Sequence, residues 1–118
     1  ELGIRVLNVM GRLSFIVPDS YLRKDDKYQL RKTLLDNFSI EEIIETGPMF
    51  TEVPDIWCSI IRVCNLKPSV SSQILHKKLS RFIVSTHERH KNFIAQSWDQ
   101  NSLVNYEIWK HNGYIFGY

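Results

Sequence analysis

Hydrophobic positions in the first half of the chain fall into compact groups separated by polar and helix-breaking residues. Arg12 to Val17 reads Arg-Leu-Ser-Phe-Ile-Val, a short strand rich in β-branched and aromatic residues, stopped by Pro18. Asp19 and Ser20 follow as candidate N-caps of a helix reaching about Asn37. Leu30, Leu34 and Phe38 recur every fourth residue, with Leu35 beside them, forming one apolar stripe. Lys24, Asp25, Asp26, Lys27, Arg31 and Lys32 suit the solvated side of that helix. Ser39 to Thr46 predicts a second strand on Ile40, Ile43 and Ile44, weakened at its start by Glu41 and Glu42 and ended by Gly47 and Pro48. Ile56 to Val63 is apolar on nearly both faces and predicts a strand in the middle of a sheet. Ahead of all these, Ile4, Val6, Leu7 and Val9 predict the tail of a helix closed by Gly11.

Strand, helix, strand over residues 12–46 is a βαβ unit, so its strands should be parallel with a right-handed crossover. The loop from Gly47 to Asp55 is too short for another crossover helix, so the third strand must run antiparallel to the second. Its apolar character favours the place between the other two. The expected order is first, third, second, with the third reversed.

The second half is less patterned. Leu66 to Ser72 reads as a polar linker containing Pro68, Arg81 to Ser85 as a short strand, and Thr86 to Ser97 as a helix capped by Thr86 with Phe93, Ile94 and Trp98 inward. Glu107 to Tyr118 is dense in aromatics, and the alternation of Tyr114, Phe116 and Tyr118 predicts one face of a strand.

Length and composition narrow the class. With 118 residues, 43% hydrophobic and 24% charged, the chain suits one small globular unit and not an extended disordered segment. No apolar run approaches the ~18–20 residues that span a bilayer, and the first residues do not resemble a signal peptide. No membrane partner is expected. The net charge of +2 permits contact with nucleic acid without requiring it. Cys58 and Cys64 lie on one predicted strand, roughly 20 Å apart at ~3.3 Å per residue, beyond the ~7 Å Cα separation a disulfide tolerates. A reduced, cytoplasmic setting is the simpler reading. The chain starts at Glu1, and the expectation is a piece of something longer.

The run Gly11-Arg12-Leu13-Ser14-Phe15-Ile16-Val17-Pro18-Asp19-Ser20-Tyr21-Leu22 resembles the sixth motif region of N6-adenine DNA methyltransferases, above all the large enzymes of combined type II restriction-modification systems. The likeness continues through Leu30-Arg31-Lys32-Thr33-Leu34-Leu35, Ile40-Glu41-Glu42-Ile43-Ile44-Glu45-Thr46-Gly47, Phe50, Val53 and the strand Ile56 to Val63. Leu2-Gly3-Ile4-Arg5-Val6-Leu7 is similar to the helix end that precedes that region. The resemblance covers roughly residues 1–65, and its specificity lies in order and spacing. It implies an α/β fold: a partial Rossmann-like methyltransferase sheet made of strand, helix, strand and a reversed central strand. Residues 66–118 would be a C-terminal α+β extension leading toward a DNA target-recognition region. It also implies a bacterial or archaeal cytoplasmic enzyme that uses S-adenosylmethionine and double-stranded DNA. The family's glycine-rich cofactor turn and its Asn/Asp-Pro-Pro-aromatic catalytic loop do not occur in the sequence. The chain should therefore need the upstream half of that domain and be inactive alone.

Methylating an adenine amino group requires the base to leave the duplex and stack on a flat partner. The resemblance puts Phe50 in that position, with Pro48, Ser20 and Tyr21 completing a target-base pocket. The competing readings are that Phe50 packs under its own loop and that Asp19 and Ser20 only cap a helix. Lys77, Lys78, Arg81, Arg89 and Lys91 form a basic set suited to phosphates, or equally to a solvated surface. His87-Glu88-Arg89-His90 misses the zinc-protease spacing because position 91 is Lys, so no metal is expected. Cys58 and Cys64 read as structural thiols, and no Ser-His-Asp arrangement has a nucleophile turn. The sequence thus favours a fragment of an adenine-N6 DNA methyltransferase. The alternative is a stand-alone α/β interaction or DNA-binding module without activity. The fragment reading leaves the first strand bare and predicts a homo-oligomer through Leu13 to Val17 unless the C-terminal segment folds over it, whereas a strictly monomeric chain with no exposed edge favours the stand-alone module.

Overall fold

The computed structural model describes residues 8, 11–52, 55–69, 72–83, 85–114 and 116. Five strands form one mixed sheet: β1 (Arg12–Pro18), β2 (Ser39–Gly47), β3 (Cys58–Cys64), β4 (Gln73–Lys78) and β5 (Gln100–Asn105), in the order β1-β3-β2-β4-β5. The helices are α1 (Tyr28–Asn37), α2 (Thr86–Ile94) and α3 (Tyr106–His111). β3 pairs antiparallel with both β1 and β2, so β1 and β2 are parallel with a reversed strand between them. This is the order expected from the βαβ unit and the short third connection. β3 takes the middle because Cys58, Ser59, Ile61, Val63 and Cys64 are all buried there. Both cysteines are buried thiols outside any disulfide and sit at opposite ends of that strand.

One face of the sheet carries the core. Ile43, Ile61, Val63 and Ile74 meet Leu34 and Leu35 of α1 and Tyr106 and Trp109 of α3, with Phe116 stacked on Trp109 at 5.4 Å. Every fully buried aliphatic group removed from water is worth ~1.5–3 kcal/mol, so this layer holds the helices down. Arg31 sits inside it at 1% exposure. Its guanidinium donates to the carbonyls of Tyr21, Lys24 and Tyr114, tying the start of the crossover to the C-terminal segment. Placed by the apolar stripe on a solvated face, Arg31 is instead buried, because these carbonyls satisfy its charge.

Several expectations are corrected. The crossover does not begin with an α-helix capped by Asp19 or Ser20. Two 3-10 turns, Asp19–Leu22 and Asp25–Lys27, come first, with no side-chain cap on either. The run Arg81–Ile83 is turn and irregular chain, while the fourth strand lies earlier, at Gln73–Lys78. Its polar string Gln-Ile-Leu-His-Lys-Lys masks a core-facing pair, Ile74 and His76, both 1% exposed. α2 is capped by Ser85, whose side chain accepts from the Glu88 amide, and not by Thr86. Ile94 points outward at 80% exposure, whereas Phe93 and Trp98 are half-buried against each other at 5.7 Å. The aromatic C-terminus is not a strand where it is described. It is α3 followed by a turn with positive φ at Gly113 and Tyr114. Tyr118 and the proposed helix before Gly11 lie outside the described residues.

The sheet does not stop at residue 65. β4 pairs in parallel with β2, and β5 pairs antiparallel with β4. Among the described residues no helix is long and apolar enough to cross a membrane.

Candidate functional site

Register places the loops. Pro18, the last residue of β1, lies opposite Cys58, the first of β3, and Cys58 lies opposite Gly47, the last of β2. The chain therefore leaves β1 and β2 along the same sheet edge. β4 runs parallel to β2, and the Leu79 amide bonds the Glu45 carbonyl at 3.0 Å, which brings the loop after β4 to this edge too. Carboxyl edges of parallel strands are where open α/β sheets bind ligands.

Five hydrogen bonds fix this edge. The Asp19 amide donates to the Trp57 carbonyl at 2.9 Å, joining the β1 loop to the entry of β3. Thr46 Oγ1 donates to the carbonyl of Cys58 at 3.1 Å. Arg89 of α2, 3% exposed, sends Nη1 to the Thr46 carbonyl at 2.8 Å and Nη2 to the Ile83 carbonyl at 3.0 Å. His90 Nε2 meets the Met49 carbonyl at 2.7 Å. Consecutive residues of one helix thus hold the start of the loop that carries Pro48 and Phe50. Gly47 has φ +71°, and a Cβ there would fall 2.5 Å from Arg89 Nη1, so only glycine fits.

The residues proposed from sequence distribute unevenly. Phe50 is 43% exposed at the edge, and Pro48 is half-buried just before it. Ser20 is half-buried in the first turn after β1. Tyr21 turns inward at 6% exposure, with its hydroxyl 2.8 Å from Ser59 Oγ. Burial pushes that phenol well above its ordinary range, keeping it neutral. Ser20 and Tyr21 also line a cleft of about 280 Å³ on the helix-covered face, with Phe15, Val17, Leu30 and Ile61. Lys77 pairs with Glu42 at 2.8 Å and lies over the Trp98 ring, on the face opposite the core. Lys78 stands 3.7 Å from Glu45. Arg81 and Lys91 are exposed, in the loop after β4 and on α2 respectively, whereas Arg89 is buried as described.

Beneath the edge is a half-buried ionic knot. Glu45 accepts from His76 Nε2 at 2.6 Å and from Arg23 at 3.1 Å. Burial opposes its charge, yet His76, Arg23 and Lys78 outweigh this and hold the carboxyl below its ordinary range. Asp19 moves the other way, raised by burial and by the nearby Glu45. Among the described residues no group of three or more His, Cys, Asp and Glu is gathered as a metal site.

Trp57 was not anticipated as part of a site. It was read as interior to the third strand, but it precedes that strand and is 45% exposed, with the Arg89 guanidinium 5.5 Å from its ring. A bulky aromatic directly before an apolar strand looks like strand in sequence. Only the register, which starts β3 at Cys58, releases it to the surface.

No protein-family model matches the chain, and no curated protein does. Solved structures do. One determined in work on the assembly and conformational transition of a type I restriction-modification system superposes with TM-score 0.68 at 16% identity, over 94% of this chain and 28% of that one. The methyltransferase subunit of a type I restriction-modification system from Streptococcus thermophilus gives 0.61 at 16% identity, over 91% of this chain and 25% of its own. The type IIG restriction endonuclease BpuSI gives 0.61 at 16% identity, over 98% of this chain and 14% of its own. The fold is therefore a mixed α/β sheet shared with restriction-modification methyltransferase structures. The chain spans about a quarter or less of the length of most of them.

Proposed function

We propose that this chain is part of a DNA methyltransferase of a restriction-modification system that acts on the N6 amino group of adenine. It would supply the far end of the catalytic sheet and one wall of the target-base pocket. The observation that carries this reading is the row Pro18–Cys58–Gly47, which sets the Ser20 and Phe50 loops on one sheet edge. The reversed β3 and the likeness to restriction-modification methyltransferase structures support it. Phe50 would stack on the extruded adenine, with Pro48 shaping the loop and Ser20 beside it. Tyr21 would support this wall from below through Ser59. Arg81 and Lys91, with Lys77 and Lys78 behind them, would face DNA phosphates, and Arg89 would hold the base loop in place.

S-adenosylmethionine is the methyl donor in this reading. The sequence has no glycine-rich turn and no Asn/Asp-Pro-Pro-aromatic loop, so its binding and the methyl transfer belong to the rest of the enzyme. Residues 1–65 would end the methyltransferase domain, and 66–118 would lead toward target recognition. The test is Phe50→Ala in the full-length enzyme, with methylation of adenine in duplex DNA and fluorescence of 2-aminopurine at the target position as readouts. A loss of both, about fivefold or more for one ~1–3 kcal/mol stacking contact, supports the pocket. Unchanged rate and unchanged extrusion remove it.

A further inference from the structure

Trp57 is left unused by the pocket assignment, which gives Arg89 only the holding of the base loop. The Trp57 carbonyl is bonded by the Asp19 amide. Its ring is backed by a guanidinium that is itself 3% exposed and anchored to the Thr46 and Ile83 carbonyls. Trp57 is 45% exposed although Arg89 stands over its ring. The ring is thus backed by a fixed cation and still reaches solvent. A second pair of the same kind lies in the loop after β4, where Arg81 sits 5.3 Å from the ring of Phe82, which is 80% exposed. The aromatic rings of these two cation–aromatic pairs lie just before β3 and just after β4, at the edge that also carries Phe50. Exposed cations stand nearby, Arg81 on the loop after β4 and Lys91 on α2, available to phosphates. An uncharged planar group suits the indole.

We infer that the exposed ring of Trp57 is a second stacking surface, taking an unpaired base of the DNA strand whose phosphates run along Arg81 and Lys91. Alternation of flat rings with cations is how sequence-tolerant single-strand binding works, and Arg89 strengthens the platform by fixing the ring before the base arrives. This rests on the function proposed above and extends it from one base to its neighbour. Arg89 acts here as a positioning residue.

The chain is titrated into two labelled single-stranded oligonucleotides, one bearing bases throughout and one with abasic sugars, and anisotropy is read. Tighter binding of the base-bearing strand, weakened about tenfold by Trp57→Leu and only partly by Trp57→Phe, supports the inference. Arg89→Lys should weaken it likewise, since lysine cannot bridge both carbonyls while covering the ring. Equal affinity for the two strands, no binding, or no change in Trp57→Leu overturns it. Near-ultraviolet circular dichroism checks each fold, and Trp57→Phe carries the test if the leucine variant unfolds. In the full-length enzyme, Trp57→Leu without effect beside an impaired Phe50→Ala sinks this inference alone. No effect from either variant sinks the function reading as well.

Discussion

Gly47 and Arg89 occupy each other's space: a methyl group on Gly47 would sit 2.5 Å from one guanidinium nitrogen and 2.8 Å from its central carbon. The last residue of β2 is thereby the seat of a buried cation from α2. That contact joins the sheet, the base loop and the helix behind it.

Gly47→Ala should lower stability by about 2–5 kcal/mol. The left-handed backbone costs an alanine ~1–2 kcal/mol, and dislodging a buried, hydrogen-bonded guanidinium adds ~1–3 kcal/mol. Urea denaturation of the two proteins measures the difference. Stability within 0.5 kcal/mol of the parent, on the scale of about ±0.5 kcal/mol typical of neutral surface changes, would refute the contact.

Acid should unfold the protein partly through Glu45. Its carboxyl is held below the ordinary value of 4.5 by His76, Arg23 and Lys78. A depressed folded pKa gives stability that is present above the unfolded value and drains as pH falls through the folded one. The loss attributable to Glu45 therefore begins near pH 4.5 and continues below it. Glu45→Gln should be less stable at neutral pH and should lose less between pH 6 and 3. Parallel pH profiles for the two proteins would count against the knot.

Trp109 is fully buried, stacked on Phe116 and edge-on to His76 at 5.5 Å. Among the described residues its indole nitrogen finds no hydrogen-bond partner. Trp109→Ala should cost about 3–5 kcal/mol as a cavity. Trp109→Phe loses volume and no hydrogen bond, so about 1–2 kcal/mol is expected. Thermal melts of both variants check the ratio.

β1 pairs on one side with β3, and no described strand covers its other side. Phe15 and Ile16 are exposed on it. Unpaired strand edges recruit other chains, so the chain should self-associate as its concentration rises. Ile16→Lys should shift sedimentation toward monomer. Identical sedimentation of parent and variant at high concentration would rule this route out.

Local chemistry made the first half legible. An apolar third strand and a connection too short to cross over left one order open, and β1-β3-β2 follows. The Phe50 loop could be placed on the same edge as the Ser20 turn for the same reason. β4 escaped because its buried histidine looks polar along the chain. His76 is tolerable inside because Glu45, 31 residues earlier, meets its Nε2 and Gln100, 24 residues later, meets its Nδ1. α3 escaped because nothing local marks it: the strand-like alternation of Tyr114, Phe116 and Tyr118 follows it, and the helix depends on Asn105 capping the Glu107 amide and on Trp109 finding the core.

Hydrophobic spacing and chain connectivity, which act between near neighbours, determined by themselves which segments form the central strands and which way each runs. The fate of the charged and aromatic side chains was decided only when distant segments met. Arg31 and Arg89 went inside because carbonyls far along the chain were there to receive them, and Trp57 came to the surface because the strand behind it begins one residue later. Burial of a charge depends on partners, and partners are set by the folded chain.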